Sequence, residues 1–472
     1  MSQKGISRRE FLKVTGSAAG LTLAGSLVGT LDRAAPAFAQ TPAPTAGGPK
    51  PWEGATVPAV FISGENDETA LRERAGEVKD QLGITVEVAD LGGDAMHDKL
   101  ANDFRAGTAS YDLTAIVGFW LTEFVGAGFL EPLQPFVDNP DLTGPDFDFA
   151  DFAKPHLDYI SYYNVQEQRH GSPGDLYLIP GPHSDACWVV CRKDLLDKAK
   201  VEPPKTWDEF LKVAEAMNDP ANGVYGVAVS GRTDPTIMLV EFHNRLLSLG
   251  GALYEGTKKD KNVKPLLTSP ESVAALTNIV DAVKFAPPAT SSYAITETSD
   301  AMASGKAGMI VMWSVTSGKL WEPTLSKVSD KVIAVPMPGK TDVSGACTRG
   351  GWGMGIPKAS TNKEAAWEVI KWYSSKEIDK YRVMKYGIGP VRKSTLLDPD
   401  VMAKYPWAPL FGQLLDKASP IATIDYPDSW EFINKAAAHF NAAVVGSETV
   451  EDALSKANAE WVDILKRGGW SA

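Results

Sequence analysis

The chain has 472 residues, 44% hydrophobic and 22% charged, with 47 Lys and Arg set against 59 Asp and Glu for a formal net charge of −12. That composition is ordinary for a globular protein, and the length admits two domains. The acidic balance argues against nucleic-acid binding, which rests on clustered Lys and Arg neutralising phosphates.

The first 39 residues read as an export segment. Lys4, Arg8 and Arg9 make a basic start, Val14 to Leu31 is mildly apolar, and Ala37-Phe38-Ala39 is a small-x-small tripeptide that a signal peptidase can cut. The apolar stretch is too weak to persist as a membrane span, which needs about 20 predominantly apolar residues. The run Ser7-Arg8-Arg9-Glu10-Phe11-Leu12-Lys13 resembles the twin-arginine translocation consensus, which implies a periplasmic protein exported by that pathway. No Cys follows the apolar run, so no lipoprotein anchor is expected. Residues 1–39 carry a net +3, which leaves the mature chain near −15, a charge that suits a soluble, non-adhesive protein. Residues 40–51, rich in Pro, Ala and Gly, read as a flexible leader.

The periodic elements begin with an apolar strand at Val57–Ile62, followed by Ser63-Gly64-Glu65-Asn66 and a helix from Asp67 to Leu82. Ile84–Leu91 alternates as a second strand, Asp94–Arg105 is a helix, and Tyr111–Val117 a third strand. This alternation argues for a parallel sheet covered on both faces. In such sheets ligands sit beyond the carboxyl ends of the strands, which points to Ser63–Asp67 and to Gly118-Phe119-Trp120. Asp175–Pro180 and Ala186–Arg192 are two further strand-like runs. Thr206 is a good N-cap for a helix over Trp207–Met217, with Glu209 at the capping-box position. A second β/α series follows: strand Tyr225–Val229, helices Thr236–Leu249 and Ser272–Phe285, then strands Ala307–Trp313 and Lys331–Val335. After a strand at Trp352–Ile356 the chain is mainly helical to Lys466. Two β/α blocks with a helical tail suggest two lobes and a cleft, and no 20–50-residue repeat points to a solenoid.

Three cysteines say little. Cys187 and Cys191, if on one strand, lie about 13 Å apart, too far to bond, while a pairing with Cys347 stays open. There is no C-x-x-C, no H-E-x-x-H and no histidine pair at metal-ligand spacing, so neither a metal nor another cofactor is expected. No G-x-G-x-x-G opens a helix after a strand, and neither a P-loop nor a G-x-S-x-G elbow occurs, which weighs against an exported enzyme.

Several segments resemble family 1 extracellular solute-binding proteins of ABC importers, the group that contains maltose-binding protein. They are Arg192-Lys193-Asp194-Leu195-Leu196 with Pro203–Phe210, Ala301–Met309, Pro336-Met337-Pro338-Gly339, Gly350–Lys358, Ala365–Ile370 and Gly389–Ser394. Each piece is weak alone, but all occur in the family's order across nearly the whole mature chain. The resemblance implies an α/β, two-lobed periplasmic binding protein fold (type II), with hinge crossings around a ligand cleft. Lobe one would comprise 52–185 plus 337–387, and lobe two 188–335 plus 390–472. It also implies a monomer that captures a mono- or oligosaccharide or a polyol and docks on ABC permease subunits. A glycerophosphodiester on the same fold is the alternative.

A sugar presents flat C–H faces and a rim of hydroxyls, so its site needs aromatic platforms edged with amides and carboxylates. Trp120 follows a strand end and matches an aromatic the family uses; Trp313 ends a strand of the other block. Trp352 lies among glycines that permit close approach. Trp207, which opens a capped helix, reads as a staple and not a ligand residue. Among polar groups, Asn66 and Asp67 stand at a helix N-terminus, where capping competes with ligand contact. Asp185 falls at the implied hinge and matches an acidic residue of the maltose proteins, with His183 in the same loop. Asp234 follows a lobe-two strand, and Arg349 offers a fork for a carboxylate or vicinal hydroxyls. Tyr426 and Trp430 precede the C-terminal helices, where family members place another aromatic contact.

Overall fold

The computed structural model describes residues 52–232, 235–256, 261–340, 344–419 and 429–470. The first β/α series contains strand β1 (Thr56–Ile62), helix α1 (Asp67–Leu82), strand β2 (Thr85–Leu91), helix α2 (Gly93–Arg105), strand β3 (Leu113–Val117) and helix α3 (Gly118–Gly126). β1 pairs in parallel with β2 along its whole length and with β3 on its other edge. The intervening helices make this order possible, because parallel neighbours require a crossover connection. Gly83 ends α1 with φ 81° and returns its N–H to the Lys79 carbonyl, a left-handed cap that glycine adopts without steric cost.

A single strand of 14 residues follows, β4 (Ile179–Arg192), buried along its entire length. The two runs read from sequence are therefore one element, since Gly181–Asp185 continues the strand. Its first half carries Pro180 and Pro182, which lack a ladder donor, and there the register to a later strand shifts. The second half is flanked on both sides.

Beyond β4 lie α4 (Trp207–Met217), α5 (Pro235–Ser248), α6 (Pro270–Ala282), β5 (Met309–Trp313), β6 (Val332–Val335), β7 (Arg349–Gly355), α7 (Lys363–Tyr373), α8 (Lys376–Tyr386), α9 (Ser429–Val444) and α10 (Val450–Arg467). α4 begins as expected: Thr206 accepts from the Glu209 N–H at 3.2 Å, and Glu209 reaches back to the Lys205 N–H at 2.8 Å. The strand expected at Tyr225–Val229 forms only bridges, Tyr225 to Ala307 and Ala228 to Ile310.

The seven-stranded sheet runs β5-β4-β7-β3-β1-β2, with the seventh strand, β6, also on β4. β5, β6 and β7 all pair antiparallel with β4, and β7 pairs antiparallel with β3. The expectation of a parallel sheet thus holds only for β1, β2 and β3. Alternating strands and helices report connection lengths, and a long strand passing between two units need not obey them.

Two hydrophobic cores result. One gathers Val57, Phe61, Leu100, Ile116, Phe124, Trp352, Trp367 and Tyr373; the other gathers Trp188, Phe210, Phe242, Ile310, Phe411, Phe440 and Trp461. β4 feeds both, giving Ile179 to the first and Ala186–Cys191 to the second. Met337 and Cys347, expected with the first lobe, pack in the second core, while Trp352 and Met354 pack in the first. Among the described residues no helix is long and apolar enough to cross a membrane.

Candidate ligand-binding cleft

A cavity of about 270 Å³ opens where the two cores meet. Its first wall starts at the end of β1. Gly64 and Asn66 both take positive φ, 88° and 69°, and the turn carries Glu65 to the cavity. Asn66 holds the N-cap position of α1, yet its side chain makes no capping bond and it is not among the cavity's lining residues. Asn is one of the few non-glycine residues that tolerate the left-handed region, so its role at this turn is conformational.

Asp67 is fully buried and stands behind the wall. Its Oδ2 is 2.6 Å from His183 Nδ1, and its Oδ1 accepts from Arg382 Nη1 at 3.3 Å. Its carbonyl accepts from the Tyr373 hydroxyl at 2.8 Å. Arg382 lies over the Tyr373 ring at 4.6 Å and also donates to Asp379 at 2.9 Å. Each buried charge therefore has a partner, which a buried ion needs.

His183, at the middle of β4, faces the cavity with a side chain 2% exposed. Its Nε2 is 3.7 Å from Glu65 Oε2 and 3.9 Å from Asp185 Oδ2, beyond hydrogen-bonding reach. Burial opposes the imidazolium, but Asp67, Glu65 and Asp185 together hold its pKa up at about 9. Burial pushes Glu65 up to about 7 against the pull of His183. Burial likewise pushes Asp185 up to about 6, against His183 and the donors on its other oxygen. Those donors are Ser314 Oγ and the N–H groups of Val315 and Ala186, the last two at 3.1 Å. Asp185 thus ties β4 to the segment after β5 while turning Oδ2 toward His183. Glu65 Oε2 is buried and has no hydrogen-bond partner within the protein.

Aromatic rings frame this polar floor. Trp120, 2% exposed, packs edge-on to Trp352 at 5.4 Å and against His97 at 5.3 Å, so it lines the cavity as part of the first core. Its indole N–H is buried without a partner. The Gly350-Gly351 pair lets β7 pass closely: a Cβ on Gly350 would lie 2.7 Å from the Trp313 ring. At Gly351, φ is 112°, and a Cβ would meet the His183 carbonyl at 2.5 Å.

The second wall is different in kind. Ile237, Leu239 and Val240 of α5, Ile295, Trp313 at the end of β5, and Trp430 and Ile433 of α9 line it, all apolar or aromatic. Trp430 crosses to the first core, stacking on Phe119 (5.9 Å, 4°) and on His97 (5.6 Å, 24°). Ser429 Oγ donates to the Phe119 carbonyl at 2.7 Å beside it.

Of the residues singled out in the sequence, Trp120, His183, Asp185, Trp313, Arg349, Trp352 and Trp430 line one cavity. Asp234 and Tyr426 lie outside the described residues. Arg349 lines the cavity, but its fork is committed: Nη1 donates to the Pro155 carbonyl at 2.5 Å and Nη2 to the Leu415 carbonyl. Only its buried Nε is without a partner. Both Nη groups, expected for a carboxylate or vicinal hydroxyls, are thus engaged by the protein's own backbone. Trp207 donates to Ser248 Oγ at 2.8 Å under Arg245, inside the second core. Glu65, Phe119, Tyr159 and the α5 face were not singled out. Glu65 and Phe119 do lie in the two strand-end segments the topology rule marks, and that rule was the available signal. All three cysteines are buried free thiols.

The family profile described as bacterial extracellular solute-binding protein matches residues 63–380. A probable amino-acid ABC transporter periplasmic-binding protein of Sinorhizobium fredii is 28% identical over 452 residues, covering 92% of this chain and 94% of its own. A mannitol-binding protein of Pseudomonas aeruginosa is 24% identical over 396 residues, with 79% and 85% covered. The crystal structure of an ABC transporter solute-binding protein of Agrobacterium radiobacter in complex with ribitol superposes with a TM-score of 0.79 at 26% identity, covering 88% of this chain and all of that one.

Proposed function

This chain belongs to the bacterial extracellular solute-binding protein family, and we propose that its cleft captures a polyol or a monosaccharide and delivers it to the permease of an ABC importer. The carrying observation is the unlike chemistry of the two cleft walls, one ionisable and hydrogen-bonding, the other apolar. A polyol has both characters: C–H groups for the Trp313 side, and hydroxyls that donate to Glu65 and Asp185 and accept from the His183 and Trp120 N–H groups. The mannitol-binding relative and the ribitol complex support the same class. At about 270 Å³ the cavity is at the small end of ligand pockets, which run to about 1,000 Å³, and so favours one sugar-sized solute over an oligosaccharide.

The name of the Sinorhizobium relative favours a second reading, an amino acid. A zwitterion brings a carboxylate, and the one arginine among the described residues that line the cavity has spent its fork on backbone carbonyls.

Capture would proceed by closure of two lobes, 52–185 with 337–387 and 188–335 with 390–472. The packing of Met337 and Cys347 in the second core favours moving the return crossing to Arg349–Gly351. Export by the twin-arginine route, a monomeric state and binding without turnover complete the reading. Thermal-shift and calorimetric titration of the mature protein with mannitol, ribitol, common monosaccharides and amino acids test it. A ligand at 100 times its Kd adds about 2.7 kcal/mol of stability, a rise of several degrees. A shift with amino acids alone would overturn the polyol reading.

A further inference from the structure

A second, smaller cavity of about 10 Å³ adjoins the apolar wall of the cleft. Ile237, Val240 and Trp313 line both spaces and so stand between them. The smaller one is also lined by Ser230, Glu241 and Asn244, all buried. Ile237, Val240, Glu241 and Asn244 fall at i, i+3, i+4 and i+7 on α5, so a single helix face carries the apolar pair and the polar pair. Asn244 Oδ1 accepts from the Thr348 N–H at 2.7 Å, which fixes the amide, because the flipped amide would set two donors face to face. Nδ2 is buried with no hydrogen-bond partner. The Cys187 thiol beside it, also in the lining, is a weak acceptor. Glu241 accepts from Arg245 Nη1 at 2.6 Å and from the N–H and hydroxyl of Ser230. A carboxylate offers about four acceptor sites, so capacity remains.

We propose that this pocket is a hydroxyl-binding site, in which Asn244 Nδ2 donates to, and the Glu241 carboxylate accepts from, a single –OH group. Its volume is about what one water-sized group occupies. The donor and the acceptor select the chemistry. A hydroxyl or a water both accepts and donates, and so satisfies Asn244 and Glu241 together. An ammonium has no lone pair for Asn244, a carboxylate would meet Glu241 with like charge, and a methyl would leave both polar groups unsatisfied. Two sources carry that chemistry: a water held behind Trp313, or the terminal hydroxyl of a solute that reaches past it. The second rests on the polyol reading, and it would make Asn244 and Glu241 determinants of solute length. The strand-end rule marks neither residue, since both lie inside α5.

The test is a pair of high-resolution crystal structures of the mature protein, without solute and with mannitol, joined to calorimetric titrations. The solute-free crystal should show one isolated peak within about 3.2 Å of both Asn244 Nδ2 and a Glu241 carboxylate oxygen. With mannitol bound, the same place should hold that water or the terminal oxygen of the solute. Val311→Ile adds a methylene to the lining and keeps a β-branched residue in β5; it should retain the wild-type circular dichroism and exclude the group. If the solute supplies the hydroxyl, this variant weakens mannitol binding at least about tenfold and leaves the shorter erythritol unchanged. If water supplies it, both affinities stay and the peak is lost. No peak in the solute-free wild-type crystal, or a peak that persists in Val311→Ile, overturns the site. The wild-type crystal decides whether or not the variant folds. It also needs no solute, so failure of the hydroxyl site and failure of the polyol reading are distinguishable.

Discussion

The two walls of the cleft face the same solute space and are built on opposite principles. The first is a chain of charges in which each position is fixed by the next: Arg382 and Tyr373 hold Asp67, Asp67 holds His183, and His183 faces Glu65 and Asp185. The second is a set of apolar side chains on α5, β5 and α9, with no ionisable group among the described residues that line it. Burying charge is costly unless every partner is present, so the first wall is ordered before ligand arrives. Apolar contact is non-directional and scales with area, so the second wall needs no fixed counterpart on the solute. Direction comes from one side and apolar area from the other.

The comparison breaks most severely at Asp67. Asp67→Ala removes the partner of His183 Nδ1 and one of the two carboxylates that pair Arg382 in a buried site, and should cost about 3–5 kcal/mol of stability, read as a lowered calorimetric melting temperature. An apolar truncation on the second wall, such as Ile433→Ala, should fall toward the low end of about 2–5 kcal/mol, because that side chain borders an existing cavity. Equal losses at the two positions would contradict the ordering argued here.

A histidine behind the second wall sharpens the contrast. His243 is buried on α5 with Nδ1 3.0 Å from Thr348 Oγ1, and burial alone lowers its pKa to about 3. Above its ordinary value near 6.5 it is neutral in both folded and unfolded chains. Below that, the unfolded chain takes up a proton that the folded protein refuses, so stability falls until the pH nears 3. From pH 6.5 to pH 4 one such group accounts for on the order of 3 kcal/mol. Replacing it by Gln should flatten the fall in melting temperature over that interval.

Smaller effects are expected where rings contact ligand or each other. Trp313→Ala should weaken polyol binding about tenfold, equivalent to about 1.4 kcal/mol, with little change in melting temperature, in contrast to Asp67→Ala. Trp430→Ala removes the stack on Phe119 that joins α9 to α3 across the cleft, an interaction of about 0.5–1.5 kcal/mol. It should shift the unliganded protein toward an open form, seen as a larger radius of gyration in solution scattering. An unchanged radius would show that the stack does not govern opening.

Much of the frame was legible before any coordinates. Helices Asp67–Leu82 and Trp207–Met217 occupy the residues their pattern indicates, and Thr206 caps the second as expected. The strand-end rule marked both segments that now border the cavity, because side chains after a buried strand have nowhere to go but the sheet's carboxyl edge. Seven of the candidate residues line one cleft. Glu65 escaped notice because an acidic residue in a turn has the same local pattern whether it faces solvent or a ligand.

What the sequence by itself determined is therefore local and ordinal: the caps, the apolar strands, the succession of β/α units and the order of family segments. These follow from backbone sterics and burial period, which act over a few residues. Tertiary structure alone decided which charges meet, since Asp67 and His183 are 116 residues apart. It also decided that Arg349 spends its fork on Pro155 and Leu415, and that β4 runs unbroken through two cores. Periodicity says that a side chain is buried, and only the fold says against what.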